Sequence, residues 1–148
     1  DKLMHIGSNL VIKTIKLIKK GNIKTLPQPK DIKIKTANKL NSDNCKINWE
    51  DTLDNIYNKI RGLCPYPAAW SLLENGENPL KVKIYKVNKL FEDHKYTAGQ
   101  IISSKKSVKV AVREGFIIIE EIKLPGKRKM DIKSLLNGYA FKQDAKML

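Results

Sequence analysis

The hydrophobic pattern in the second half of the chain has a period of two, and it constrains the fold more than any other feature. Val and Ile alternate with charged residues at Lys81–Tyr85 and again at Val108–Arg113. Side chains alternate across a β-strand, so each stretch puts its apolar residues on one face and its charges on the other. A β-branched run at Phe116–Leu124 and turn signals at Glu74–Gly76 and Glu114–Gly115 continue the pattern. We predict four or five short strands that close into a small sheet.

Three segments have a helical period instead. Residues 3–20 carry apolar side chains at spacings of three and four, with lysines crowding the end, which predicts an amphipathic helix. A second helix is predicted over 48–62, with acidic residues in its first turn, and a third over 131–138. Between the first two helices, Pro27 and Pro29 favour an extended linker. The tail beyond Tyr139 offers few apolar anchors.

The charge balance points to an anionic partner. The chain holds 29 Lys and Arg against 15 Asp and Glu, a formal net charge of +14. A field of this size attracts phosphate backbones, anionic membranes or acidic proteins, and nucleic acid is the commonest of these. Lys81, Lys83, Lys109 and Arg113 fall on the polar faces of predicted strands and are expected to stand outward together. They form either a phosphate-binding track or an ordinary solvated face.

Two predicted loops carry further cations, and loops often make functional contacts. The loop candidates for nucleic-acid binding are Lys127, Arg128, Lys129, Lys105 and Lys106. A solvated turn is the alternative for each. Arg61, before a double-proline turn, is expected either to contact phosphate or to bond the last carbonyls of its helix, with the structural role favoured.

The remaining reactive residues predict no catalytic or metal site. Cys45 and Cys64 have no second pair and no His cluster beside them, so neither a disulfide framework nor a zinc site is indicated. His5 and His94 lie too far apart in sequence to suggest a ligand set. Glu120–Glu121 are adjacent on a strand and are expected to point to opposite faces. No apolar run approaches the length of a membrane span, and we expect a cytoplasmic protein without a membrane partner.

Three aromatic residues are candidates for either core packing or base stacking. Trp49, Trp70 and Tyr66 have apolar neighbours, so we expect core packing, with the two Trp rings wedging helix against barrel. Stacking on unpaired bases is the alternative.

Three short motifs carry a resemblance to a known family. In the first, the matching residues are Ala37, Lys39, Leu40, Asp43, Ile47 and Trp49. The second is Arg61-x-x-x-Pro65-x-Pro67, and the third is Gly126-Lys127-x-x-Met130. Together they resemble the C-terminal domain of the methionyl-tRNA formyltransferases.

The resemblance implies a domain organisation that covers nearly the whole chain. Residues 1–26 resemble the last helix of the family's catalytic domain, and 27–47 its linker. Residues 48–148 resemble its C-terminal domain, a mainly β fold with short helices and a small open barrel similar to an OB fold. The family's catalytic Asn, His and Asp have no counterpart here. We therefore expect a fragment with no catalytic residue, no metal and no cofactor of its own.

The resemblance also implies a function in protein biosynthesis. The parent enzyme moves a formyl group from its co-substrate formyltetrahydrofolate to the methionine of initiator tRNA, for translation initiation, and this fragment would hold the tRNA. The family's binding positions carry over to Lys127 and Lys129. An alternative is the interdomain spacer barrel of another formyltransferase, which binds no RNA.

The apolar stripe of helix 3–20 leads to a first prediction. Apolar patches of this size rarely stay exposed on monomers, and burying each large aliphatic side chain contributes about 1.5–3 kcal/mol. We therefore expect the fragment to self-associate through this helix. Deleting residues 1–25 should give a monomer with unchanged β-rich circular dichroism in sedimentation experiments. A monomeric intact chain whose helix is protected from hydrogen exchange would contradict this.

Overall fold

Apolar side chains at every second position draw the second half of the chain into a sheet of seven strands. The computed structural model describes residues 2–21, 23–30, 36–76 and 78–148. The strands are β1 (Ala69–Glu74), β2 (Leu80–Phe91), β3 (Ile101–Ser103), β4 (Val108–Val112), β5 (Gly115–Lys123), β6 (Met130–Asp131) and β7 (Lys146–Met147). The helices are α1 (Lys2–Lys19), α2 (Leu53–Leu63) and α3 (Ile132–Leu136).

The strands follow the order β3-β4-β5-β2-β1-β7 through antiparallel pairs, and β6 pairs with β5 beside this path. The two ends of the path meet through an isolated bridge between Gln100 and Lys146 and a 3.0 Å hydrogen bond from Ile101 N to Ala145 O. The result is a nearly closed six-strand barrel with an unsealed seam. The predicted fold class, mainly β with short helices and a small open barrel, is confirmed. The predicted number of strands, four or five, was too low, because β3, β6 and β7 are too short to show a period in the sequence.

The chain divides into two compact units, Asp1–Ala37 and Asn38–Leu148. The first contains α1, and none of the residues of this helix is buried. The helix ends before Gly21, which has a φ of 68°. The second contains the barrel, and its core includes Cys45 and Ile47. The predicted domain limits at residues 26 and 47 stay predictions. Residues 31–35 of the predicted linker lie outside the described residues.

Helix α2 begins later than the sequence pattern suggests. Its N-cap is Thr52, whose side chain accepts a hydrogen bond from Asn55 N at 3.2 Å. The predicted start at Asn48 is wrong because the neighbouring Trp49 is buried in the core, and Ile47 N bonds to Trp70 O at 2.8 Å. These contacts hold the segment in a non-helical course. From Thr52 onward the apolar stripe of α2 packs on the barrel.

The C-terminal tail is anchored, contrary to the sequence expectation. Ala145 and Met147 are buried, and β7 pairs with β1. Leu148 exchanges two backbone hydrogen bonds with Leu72, at 2.8 and 3.3 Å. The tail is held by backbone hydrogen bonds and by only two buried side chains. Two such residues are too few to give a hydrophobic pattern in the sequence.

A local irregularity changes which side chains of β2 and β5 face outward. The register shifts on both sides of Lys86, between the pairs Ile84–Ile122 and Val87–Ile119. Glu120 and Glu121 both lie between buried residues of β5, and their side chains are 31% and 33% exposed. Simple alternation would have put one of them in the core. The expectation that the two carboxylates point to opposite faces is therefore wrong.

Ser71 ties three segments together. Its hydroxyl oxygen accepts a hydrogen bond from Trp49 Nε1 at 2.9 Å and donates one to Leu148 O at 2.8 Å. Both Ser71 and Trp49 are buried, so water does not compete for the hydrogen bond between them. The segment before α2, strand β1 and the C-terminal tail thus share one polar centre inside the barrel.

This polar centre generates a stability prediction. Ser71→Ala leaves the buried indole N–H of Trp49 without an acceptor, and the free energy of unfolding should fall by about 1–3 kcal/mol. Urea unfolding followed by circular dichroism measures the difference. Ser103→Ala, at an exposed end of β3, is the matched control and should change the free energy by less than about 0.5 kcal/mol. Equal effects of the two substitutions would contradict the role of Ser71.

Candidate nucleic-acid interface

Strand register brings an aromatic ring and two lysines into one line on the outside of the barrel. Trp70 of β1 is opposite Lys83 of β2, and Lys83 is opposite Lys123 of β5. Directly opposed residues of antiparallel strands point to the same face, with Cβ atoms about 4.5–5.5 Å apart. Ala69 and Ser71, on either side of Trp70, point into the core, so this line faces outward. We call these three residues the Trp70 row.

Two predicted lysines are held in fixed positions, Lys83 within the row and Lys81 beside it. Lys81 Nζ lies 3.9 Å from the centre of the Trp70 ring and 3.2 Å from Ser42 Oγ. Lys83 Nζ donates to Pro67 O at 3.1 Å. Each ammonium group has three donors, so both lysines keep donors for an anion. The structure brings Lys81 and Lys83 together, as predicted.

The loop that follows β5 carries the densest group of cations. It starts immediately after Lys123, and Gly126 turns the chain with a φ of 71°. Lys127 and Arg128 are exposed, and their side chains make no hydrogen bond or ion pair with the described residues. Lys129 Nζ, in contrast, is 2.6 Å from Glu121 Oε2 and 5.6 Å from the centre of the Tyr85 ring. Two of the three predicted loop residues are thus free to reach a ligand.

Ion pairs at this surface raise the pKa values of two lysines. The pKa of Lys129 lies above its ordinary value, chiefly because its ammonium donates a hydrogen bond to Glu121. The pKa of Lys86 is raised in the same way by its hydrogen bond to Glu120 and by the charge of that carboxylate. The lysine side chains of both pairs are exposed, at 67% for Lys86 and 51% for Lys129, and salt bridges at exposed sites are weak. A phosphate group can therefore compete for either lysine.

Two other predicted strand residues are separated from the row. Lys109 is level with Ile118, five residues before Lys123 along β5, which corresponds to about 17 Å. Its Nζ is 3.8 Å from Glu92 Oε2 and 5.2 Å from the centre of the Phe116 ring. Arg113 is exposed in the turn between β4 and β5. The expected joint track of four cations is therefore divided between two regions of the barrel.

The last three candidates lie on turns and helix ends. Lys105 and Lys106 are exposed at the tip of the β3–β4 hairpin, where Ser104 N bonds to Ser107 O at 2.9 Å. Arg61 is exposed in the last turn of α2 and donates to Asn58 Oδ1 at 3.2 Å. It does not bond the last carbonyls of the helix, which was the structural role expected for it.

Sequence reasoning missed two residues of this surface. Lys123 was not selected as a candidate. Which residue of β2 lies opposite it depends on strand register, and the sequence does not display that register. Tyr66 was assigned to the core, yet it is 87% exposed on the turn between α2 and β1. The only available signal was its position between Pro65 and Pro67, which favours a surface turn over a buried strand.

One protein family and several curated relatives match this chain. Residues 39–140 match the family described as formyl transferase, C-terminal domain. This chain belongs to that family. It is 48% identical over 147 residues to a methionyl-tRNA formyltransferase of Flavobacterium johnsoniae, covering 99% of the chain and 47% of the relative. Enzymes of the same name from Flavobacterium psychrophilum and Bacteroides fragilis are 42% and 38% identical, covering 98% and 99% of the chain and 46% and 47% of the relatives.

The chain spans about half the length of the curated relatives it matches, and the matched half contains the formyl transferase C-terminal domain. Within the described residues, no three His, Cys, Asp or Glu side chains lie close enough together to hold a metal ion. Among the same residues, no helix has the length and apolar character needed to cross a membrane. What this formyl transferase C-terminal domain presents instead is a basic and aromatic outer surface.

The ion pairs allow a direct test of the local electrostatics. Glu121→Gln should lower the pKa of Lys129 toward its ordinary value, because the hydrogen bond to a carboxylate is lost. A 13Cε NMR titration measures the change, and Glu120→Gln should lower the pKa of Lys86 while leaving Lys129 nearly unchanged. Since the folded-state pKa is raised, the pair contributes its stability below the ordinary lysine pKa and loses it as pH rises through the raised value. An unshifted Lys129 in Glu121→Gln would contradict the pairing.

Proposed function

We propose that this chain is the tRNA-binding C-terminal part of a methionyl-tRNA formyltransferase. The observation that supports this most directly is the Trp70 row, with Lys81 beside it and the free cations Lys127 and Arg128 on the adjoining loop. The parent enzyme would transfer a formyl group from formyltetrahydrofolate to methionine on initiator tRNA, in the cytoplasm, during translation initiation. The catalytic residues and the folate site would lie in the half of the relatives' length that this chain does not match.

The chemistry of the surface favours contact with the RNA backbone over base reading. Lysine ammonium groups act as point charges and lack the fixed fork with which arginine recognises base edges and phosphates. Lys81, Lys83, Lys123 and Lys127 therefore suit phosphate oxygens, which position a nucleic acid without reading its sequence. We expect any tRNA, initiator or elongator, to bind with similar affinity. Selection of the initiator would be the task of the rest of the enzyme.

Positioning is then the contribution of this domain to the reaction. A tRNA held along the barrel presents its acceptor end to a neighbouring catalytic domain in a reproducible orientation. Orientation of reacting groups accounts for a large share of enzymatic rate enhancement, and small misplacements are costly. No residue of this chain needs to touch the formyl group. The separate cations Lys105, Lys106, Lys109, Arg113 and Arg61 are proposed as outlying contacts for a long RNA.

Charge reversal tests the proposal. Lys123→Glu combined with Arg128→Glu should weaken tRNA binding and flatten the dependence of log K on log salt by about two units, since each phosphate contact contributes close to one. The control is Lys95→Glu combined with Lys142→Glu, two exposed residues to which no RNA contact is assigned. It makes the same charge change away from the Trp70 row and should leave the slope closer to that of the unaltered chain.

Fluorescence anisotropy across a salt series measures both slopes. Binding of initiator and elongator tRNA should fall together in the interface variant. Equal slopes for the interface variant and its control would remove the Trp70 row from the binding surface. A chain that binds no tRNA even at low salt would favour the interdomain spacer function over RNA binding.

A further inference from the structure

The three aromatic rings considered for base stacking differ sharply in their surroundings. Trp49 is 4% exposed and its indole N–H is used by Ser71. Trp70 is partly buried, donates its indole N–H to Ser42 O at 2.7 Å, and has the Lys81 ammonium over its ring. Tyr66 is 87% exposed, and its hydroxyl makes no hydrogen bond with the described residues. Tyr66 is therefore the ring of this group that offers a free face.

Tyr66 lines a cleft large enough for one small planar group. The cleft has a volume of about 280 Å³ and lies between the segment Leu40–Ser42 and the turn Tyr66–Ala68, with Trp70 also lining it. Drug-sized ligands occupy sites of about 300–1,000 Å³, so this space fits one small planar group and not a folded helix. Leu40, 55% exposed, supplies an apolar side chain on the wall formed by the other segment. The cleft thus has an aromatic residue and an aliphatic residue among those that line its two walls.

The charges around the cleft are of one sign. Lys81 and Lys83 line it, and none of its described lining residues is acidic. A larger cleft of about 530 Å³ elsewhere in the same unit is lined by lysines too, but also by Asp43 and Glu50, which offset them. Lys123 extends the positive charge along the Trp70 row, next to Lys83. The cleft thus has an exposed tyrosine and two lysines among its lining residues, and a third lysine lies opposite one of them.

From these observations we infer that the cleft between Tyr66 and Leu40 binds one unpaired nucleobase of an RNA, stacked on the Tyr66 ring, while Lys83 and Lys123 hold the adjacent phosphates. This rests on the proposed function and names the part of the RNA that the site takes. Bases inside a duplex already stack on one another, so only a base in a loop, bulge or single strand can present its face to a side chain. Stacking on tyrosine accepts any base, which agrees with sequence-independent binding.

Stacking and charge attraction leave different signatures, and this makes the inference testable. The intact 148-residue chain and its variants are titrated with a single-stranded hexaribonucleotide that carries 2-aminopurine, and with the same strand in a duplex. Tyr66→Ala should weaken single-strand binding roughly 5- to 100-fold at every salt concentration, without changing the salt slope, because an aromatic contact is lost and no ion is released. Duplex binding should change little. The quenching of 2-aminopurine fluorescence should also disappear.

Matched variants keep the result interpretable. Tyr66→Phe retains the ring and should bind as the unaltered chain does, whereas Tyr66→Leu retains bulk without a π face and should resemble Tyr66→Ala. Phe91→Ala removes another exposed ring, 61% exposed at the far end of β2, and should have no effect. If circular dichroism shows that Tyr66→Ala does not fold, two other measurements test the stacking site. These are the single-strand binding of Tyr66→Leu and the quenching of 2-aminopurine fluorescence by the unaltered chain.

The failures are distinguishable. Salt-sensitive tRNA binding that is equal in the unaltered chain, Tyr66→Ala and Tyr66→Leu would overturn the stacking site and leave the proposed function intact. Equal loss of single-strand and duplex binding in a folded Tyr66→Ala variant would also overturn it, because stacking on an unpaired base cannot weaken duplex binding. Absence of any RNA binding by the unaltered chain would overturn both.

Discussion

The architecture of this formyl transferase C-terminal domain depends on one buried hydroxyl group. Ser71 receives the indole N–H of Trp49 and donates to the Leu148 carbonyl, so the segment before α2 and the end of the chain both fasten to β1 at one point. A buried polar group without a partner is costly, and this arrangement satisfies all three groups at once. Trp70 and Leu72, on either side of Ser71, must then face outward. The same contact that closes the barrel core therefore fixes the orientation of the Trp70 row.

The surface chemistry follows from strand register more than from any single motif. Trp70, Lys83 and Lys123 come from three strands and are far apart in sequence, yet antiparallel pairing aligns them. The irregularity near Lys86 adds a second effect, because it turns both Glu120 and Glu121 outward, where they hold Lys86 and Lys129. Acidic residues thus sit within a basic surface and reduce its charge locally. Beside these ion pairs, the side chains of Lys123, Lys127 and Arg128 are exposed and make no hydrogen bond or ion pair with the described residues.

The sequence was sufficient where a feature is local and insufficient where it depends on long-range pairing. The period-two pattern predicted β2 and β4, since each alternates over several residues, and the β-branched run predicted β5. It could not predict β7 or the start of α2, because buried contacts of Met147 and Trp49 with distant residues decide both. Lys81 and Lys83 were found as candidates by alternation alone. Lys123 was missed, and Lys109 was grouped with residues about 17 Å away, because register is absent from a periodicity argument.

Two kinds of cation on this surface would contribute differently to RNA binding under the proposed function. Lys81 and Lys83 are already held by Trp70 and Pro67, so little side-chain freedom remains to be lost when a phosphate arrives. Lys127 and Arg128 extend from a loop without partners among the described residues and must be ordered on binding. The strand lysines would therefore determine where the backbone lies, and the loop residues would add long-range attraction. If the proposed function holds, formyl transfer would depend on the orientation of the acceptor end, and the fixed lysines would then matter more for the reaction than their number suggests.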